Sequence, residues 1–187
     1  KKYGADYWDG DRKFGYGGYK YIPGRWTMVA KKIIKKYKLT NTSKILDVGC
    51  GKAFLLYEIK KILPNIKIVG IDISKHALKN APDEIKPYLF KHDINKGLSF
   101  KKNSFNLVIS LACLHNLKIN KLIPTIKRIQ TLSKNKYLMV ESYRNEKELF
   151  NLQCWALTCE SFFSKDEWKW IFKMTGYNGD FELIYFE

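Results

Sequence analysis

The sequence predicts an α/β fold, with helices packed on both faces of a mostly parallel sheet, and three observations carry that prediction. Short apolar runs bounded by Gly, Asn, Asp or Pro alternate with amphipathic stretches of helical period along most of the chain. The first of these runs, Ile45-Leu46-Asp47-Val48, passes straight into Gly49-Cys50-Gly51 and then into a helical stretch, the start of a strand–turn–helix unit. The length of 187 residues, nearly half of them hydrophobic, suits one such core, and no apolar run is long enough to span a bilayer.

Residues 1–26 fit neither a strand nor a helix period. They are rich in Gly and in aromatic residues: Tyr3, Tyr7, Trp8, Phe14, Tyr16, Tyr19, Tyr21 and Trp26. Disordered segments are poor in aromatics, so this segment is expected to be an ordered cap over a site. Thr27–Tyr37 is expected to be helical, with Val29, Ile33 and Ile34 on one face and lysines opposite. Lys44–Val48 reads as a buried strand and Gly49-Cys50-Gly51 as a tight turn. Phe54–Leu63 reads as a helix stopped by Pro64. A strand at Lys67–Ile73, a short helix at Lys75–Ala81 and strands at Pro87–His92 and Phe105–Leu111 follow.

Asn120–Leu132 reads as a helix with Pro124 in its first turn, where the missing N–H costs nothing. Lys136–Glu141 is the fifth strand and Glu146–Leu157 a helix. Ser164-Lys165-Asp166-Glu167 matches a capping box that opens a helix to Met174, Gly176 ends it, and Phe181–Phe186 is the last strand. The expected organisation is one domain over 1–187, with a cap at 1–26 and a core at 27–187. The chain opens on Lys1 rather than Met, so further residues are expected upstream; no signal peptide is visible.

The net charge is +16. Such a balance suits nucleic acid, an anionic surface or an anionic substrate. Only Arg12, Arg25, Arg128 and Arg144 among the 34 basic residues are arginine, the residue that nucleic-acid readers favour for bidentate contacts. A lysine-rich, solvated surface is therefore the first reading, an anionic small acceptor the second and nucleic acid the third. Cys50, Cys113, Cys154 and Cys159 form no C-x-x-C pair and lie at no zinc-ligand spacing, so free thiols in a reducing cytoplasm are expected, with no metal.

The chemistry concentrates at Asp47-Val48-Gly49-Cys50-Gly51. Glycines let a backbone pass close to a ligand, and the helix start behind them offers free N–H groups to an anionic one. A P-loop would need a Ser or Thr where Ala53 stands, and a dinucleotide fingerprint a third glycine where Phe54 stands. What remains is D-x-G-x-G. The second signal is Asp72, which ends Ile68-Val69-Gly70-Ile71-Asp72 21 residues after Gly51, where a carboxylate can accept hydrogen bonds from ribose hydroxyls. The third is His92-Asp93-Ile94 after the third strand.

Together these residues resemble class I S-adenosylmethionine-dependent methyltransferases over residues 44–141. The resemblance implies a Rossmann-like three-layer sandwich of six or seven strands, the last antiparallel, with S-adenosylmethionine as cofactor and S-adenosylhomocysteine as product. It implies cofactor contacts from Asp47, Gly49, Cys50, Gly51, Asp72, Ile73 and Ser110, with Asp93 by the adenine amino group and Ile94 on its ring. Ala53 takes the place of a third small residue that this family often has. The family's last two strands form a hairpin, but after Met174 there is room for one strand, so either the sheet is short at that edge or part of Leu157–Phe163 fills it. The flanks resemble a bacterial subgroup tied to surface-polysaccharide loci.

For the acceptor, His115 follows the fourth strand and is the candidate general base, since histidine titrates near neutral pH. His76 and His92 sit less well for the role. Tyr19, Tyr21, Arg25, Asn116, Tyr143 and Arg144 are the candidate acceptor-binding residues, because planar guanidinium groups suit a phosphate or carboxylate. The expected reaction is methyl transfer to an oxygen, less so a nitrogen, of a small polar acceptor such as a sugar, sugar nucleotide or phosphorylated polysaccharide precursor. The alternatives are an RNA methyltransferase, which the sequence Ser110-Leu111-Ala112-Cys113 disfavours because base-amine enzymes carry N/D-P-P-Y/F there, and a non-catalytic domain that binds cofactor or a partner.

Overall fold

A computed structural model of the chain describes residues 2–187. Lys1, the first residue of the expected cap, lies outside the described residues. Among the described residues, six strands form one sheet in the order β3-β2-β1-β4-β5-β6. They are β1 (Lys44–Val48), β2 (Lys67–Asp72), β3 (Leu89–Lys91), β4 (Leu107–Leu111), β5 (Asn135–Glu141) and β6 (Asp180–Ile184). The helices are α1 (Ala5–Asp9), α2 (Thr27–Lys36), α3 (Phe54–Ile62), α4 (Lys75–Lys79), α5 (Ile119–Leu132), α6 (Glu146–Trp155) and α7 (Lys165–Met174). Among the described residues, no helix is long and apolar enough to cross a membrane.

The near-continuous apolar character of β1 and β4 follows from their place at the centre, covered on both faces. Successive side chains point to opposite faces. Ile45, Leu107 and Ile109 pack with Ala30 and Ile33 of α2 and with Leu55, Leu56 and Ile59 of α3. Leu46, Val48, Val108, Leu138 and Val140 pack on the other face with Ile126 and Ile129 of α5 and Trp168 and Phe172 of α7. Each such side chain contributes roughly 1.5–3 kcal/mol on burial. The two layers hold the carboxyl ends of β1, β2, β3 and β4 in one row.

Every strand pair is parallel, including β5 with β6, which pair from Tyr137↔Asp180 to Glu141↔Ile184. This corrects the antiparallel last strand implied by the resemblance. The segment between β5 and β6 carries both α6 and α7, and such a helical crossover returns the chain in the same direction. No strand forms in Leu157–Phe163, which is turn and irregular backbone. The capping box at Ser164 is present, with the Ser164 N–H donating to Glu167 at 2.7 Å, and Gly176 takes the left-handed conformation that ends α7.

Pro124 lies in the second turn of α5 rather than the first. The hydrogen bond it forgoes would have gone to the carbonyl of Asn120, which is exposed and open to water. Residues 2–26 lie over the carboxyl ends of the strands. They form α1, a 3-10 turn at Arg12–Phe14 and connecting turns.

Candidate active site

The loop after β1 is built on backbone conformations that side chains resist. Gly49 has φ +81° and Gly51 φ +56°. A Cβ on Gly49 would lie 2.1 Å from Cys113 Sγ, and one on Gly51 would lie 2.8 Å from the Trp8 ring. Ala53 also sits at φ +56°, a left-handed position that costs an L-residue about 1–2 kcal/mol, which explains the need for a small residue there. The N–H groups of Gly49 and Cys50 both donate to the Ile71 carbonyl of β2, at 2.8 and 3.0 Å.

This loop forms the floor of a cavity of about 140 Å³ at the carboxyl ends of the strands, where β1 is flanked by β2 and β4 and the strand order reverses. Asp47, Gly49, Cys50, Gly51, Asp72, Ile73, Asp93, Ile94, Tyr19 and Asn116 all line it. The tertiary structure thus brings together ten of the residues singled out from the sequence. It adds Tyr3, Tyr7, Trp8, Tyr16 and Trp26 from the cap, and Phe54, His92, Asn95, Ala112 and Cys113 from the core.

Asp72 accepts the N–H of Gly51 at 2.8 Å and of Ser74 at 2.7 Å, so its carboxylate organises the floor. Burial raises its pKa, and these backbone donors oppose the rise. Asp47 is fully buried, and burial together with the neighbouring Asp72 pushes its pKa up to about 8. Two buried carboxylates side by side on one cavity wall suit a ligand that brings hydroxyl donors and positive charge.

The cap forms the roof. Asp9 of α1 accepts Lys52 Nζ at 2.6 Å and lies 2.7 Å from His76 Nε2. Trp8 Nε1 donates to Ser74 Oγ at 2.9 Å, and Ser74 Oγ donates to the Tyr3 carbonyl at 2.7 Å. Trp8 stacks on Tyr16 with centroids 5.1 Å apart, and Tyr19 stacks on Phe54 at 5.2 Å. Buried in this cluster, the Tyr3, Tyr7 and Tyr16 hydroxyls have pKa values above the usual phenol range, while that of Tyr19 is pushed up to about 12.

Other singled-out residues lie elsewhere. Ser110 is fully buried and donates to the Val48 carbonyl at 2.7 Å, holding β4 to β1 beneath the cavity. Tyr21 donates to Glu58 of α3, and Arg25 is exposed outside the cavity. Tyr143 bridges to Ser164, and Arg144 is bound to Glu148 and Glu187 and covers the Tyr185 ring. None of these four lines the cavity. His115 is buried in a smaller neighbouring pocket beside Glu141, a residue the sequence did not single out.

A family model described as a methyltransferase domain matches residues 39–176. The mouse (Mus musculus) mitochondrial arginine-hydroxylase NDUFAF5 is 30% identical over 109 residues, which are 58% of this chain and 31% of that protein, so the match spans under a third of that relative's length. A SAM-dependent methyltransferase from Archaeoglobus fulgidus has the same fold with a TM-score of 0.58 at 22% identity, over 80% of this chain and 68% of that one. Phosphoethanolamine N-methyltransferase 2 of Haemonchus contortus, solved in complex with S-adenosyl-L-methionine, has a TM-score of 0.58 at 18% identity, over 89% of this chain and 39% of that one. With the matched model covering most of the chain, this protein belongs to the methyltransferase domain family.

Proposed function

We propose that this enzyme methylates an oxygen of a small polar acceptor, and that His115 takes the acceptor's proton. The observation that carries this reading is the pairing of the cofactor cavity with a buried histidine pocket, two spaces that share the rings of Tyr7 and Tyr16.

The residues present fit the cofactor. The glycine loop brings its backbone to the cavity floor, packed where a Cβ would clash with Cys113 and Trp8, and Asp47 and Asp72 have no Lys or Arg beside them in the cavity wall. In this reading Asp72 holds the ribose hydroxyls, Asp93 and Ile94 hold the adenine, and Asp47 with the glycine loop faces the cationic amino-acid end. When bound, the cofactor supplies an electrophilic methyl group on a sulfonium that leaves as a neutral thioether.

The chain's own part is alignment, exclusion of water and proton handling. The aromatic roof closes the cavity, and its rings offer negative faces to a cation. Burial pushes the His115 pKa down to about 4, so its imidazole is neutral at physiological pH but a weaker base than the near-neutral histidine expected from the sequence, and taking the proton requires a partner that stabilises the imidazolium. A net charge of +16 favours an anionic acceptor such as a sugar nucleotide or phosphorylated sugar.

Thermal unfolding with S-adenosylmethionine, S-adenosylhomocysteine, NAD and ATP, each with and without RNA, tests the reading. Stabilisation by the first two alone supports it. Stabilisation that requires RNA moves the acceptor to nucleic acid, and none from either sulfur compound sinks the proposal.

A further inference from the structure

The smaller pocket has a volume of about 30 Å³ and is lined by His115, Glu141, Tyr7, Tyr16, Arg12 and Thr158 among others. The Arg12 guanidinium lies over the Trp155 ring at 4.3 Å and donates to the carbonyls of Gly15 and Trp155, so its place at this pocket is held from three sides. His115 stands on a 3-10 turn, Leu114–Asn116, whose position is also held: its carbonyl accepts the N–H groups of Glu160 and Ser161, each at 3.0 Å. Glu141 is the last residue of β5. Because β4 and β5 are neighbours in register at Leu111↔Met139, both side chains emerge at the same sheet edge, with His115 Nε2 and Glu141 Oε2 3.3 Å apart.

Both side chains are more than nine-tenths buried, yet His115 Nδ1 and Glu141 Oε2 have no hydrogen-bond partner among the described residues. A buried polar atom left unpaired costs roughly 1–3 kcal/mol. Two of them on facing side chains at one pocket point to a ligand that completes both. The imidazole nitrogen donates or accepts according to tautomer, and the carboxyl oxygen accepts when ionised. A hydroxyl has one donor and two acceptor lone pairs and can serve both atoms at once. A carboxylate brings no donor to Glu141 and sets like charges together, and an ammonium has no acceptor for a ring N–H. The volume admits one or two non-hydrogen atoms, which is the head of an alcohol and not a whole ring.

Resting on the methyl-transfer reading above, we propose that this pocket is the acceptor subsite and that it selects an alcohol, whose hydroxyl is held between His115 Nδ1 and Glu141 Oε2. Glu141 is then an acceptor-binding residue that takes the hydroxyl's hydrogen bond beside His115. The partition between the two spaces, Tyr7 and Tyr16, belongs to the cap and not to the sheet core. It is held by side-chain contacts, so displacement of the cap joins the subsite to the cofactor cavity without disturbing the strands.

The test uses the full chain with its three histidines labelled with nitrogen-15 and saturated with S-adenosylhomocysteine. Ring resonances are followed while propan-1-ol, propionate or propylammonium is added, three probes of one size that differ in the head group. The expected result is a saturable shift of the His115 ring with propan-1-ol, at an affinity about tenfold or more above either other probe. Glu141→Gln, which keeps shape but changes the acceptor oxygen, weakens that response about tenfold and alters the pH dependence of the His115 signal. A stronger response to propionate or propylammonium, or no response of His115 to any probe in the folded wild type, overturns the proposal. Because the wild-type comparison needs no variant, misfolding of Glu141→Gln leaves it decisive. S-adenosylhomocysteine binding is measured by calorimetry on the same sample: its loss sinks the methyltransferase reading, whereas its presence without an alcohol response sinks this subsite alone.

Discussion

The floor and the roof of the larger cavity are built by different physics. The floor is backbone. Gly49 and Gly51 hold left-handed conformations, the loop N–H groups are bound to β2 and to Asp72, and the central strands β1 and β4 beneath are almost wholly buried. The roof is side chain: a stack of aromatic rings tied down by Asp9, Trp8 and Ser74, with Asp9 itself one-third exposed. Backbone that only glycine tolerates fails outright when changed. Side-chain contacts worth about 1 kcal/mol each fail by degrees, and they set a cap that opens at less cost than the core.

Gly49→Ala attacks the floor and carries the largest expected effect. Its Cβ meets Cys113 Sγ at 2.1 Å and its φ of +81° is unfavourable for alanine. Overpacking and strain together cost about 2–5 kcal/mol, and cofactor affinity should fall more than about a hundredfold. Calorimetry with S-adenosylmethionine and thermal unfolding measure both; near-normal binding would erase the distinction between floor and roof.

Trp8→Ala attacks the roof. It removes a stacked ring and the hydrogen bond to Ser74 Oγ, about 2 kcal/mol in all, and should weaken cofactor binding about thirtyfold. The sheet core should unfold within about 1 kcal/mol of wild type. A core that melts with the roof would show the two regions to be one cooperative unit.

The smallest effect sharpens the electrostatics of the floor. With its pKa near 8, Asp47 holds a proton at neutral pH that a cationic ligand displaces. Affinity for S-adenosylhomocysteine should therefore rise with pH by up to about tenfold per unit between pH 6 and 8, with proton release visible as buffer-dependent binding heat. The same raised pKa means that the ligand-free fold loses stability from about pH 4 up to pH 8, because over that range the folded state binds the proton that the unfolded state has lost. Affinity independent of pH would remove Asp47 from the charge balance.

Much of the floor was legible in the sequence because its parts are local. The strand Lys44–Val48 matches its expected bounds, and Asp47, Gly49 and Gly51 follow along a short stretch of chain. Asp72 reads equally well because a strand end after a short helix has few places to go. The roof was legible only as a collection of aromatic residues. Tyr7, Trp8 and Tyr16 have no period that tells which of them reaches the cavity. Arg25, Tyr143 and Arg144 were singled out for their chemistry, but the fold turns them away, and Arg144 is taken up by Glu148 and Glu187. Glu141 carried no signal at all, since it reads as the polar end of a strand.

By itself, then, the sequence determined the alternation of strands and helices and the glycine loop with its two acidic partners. These rest on spacing along the chain, which short-range sterics and burial translate directly into local structure. Only the tertiary structure decided that β6 runs parallel to β5, that the N-terminal aromatic residues roof the cavity through Asp9 and Trp8, and that His115 faces Glu141 rather than the larger cavity. Those outcomes depend on pairings between segments far apart in sequence, and the free energy that selects them comes from packing the whole sheet.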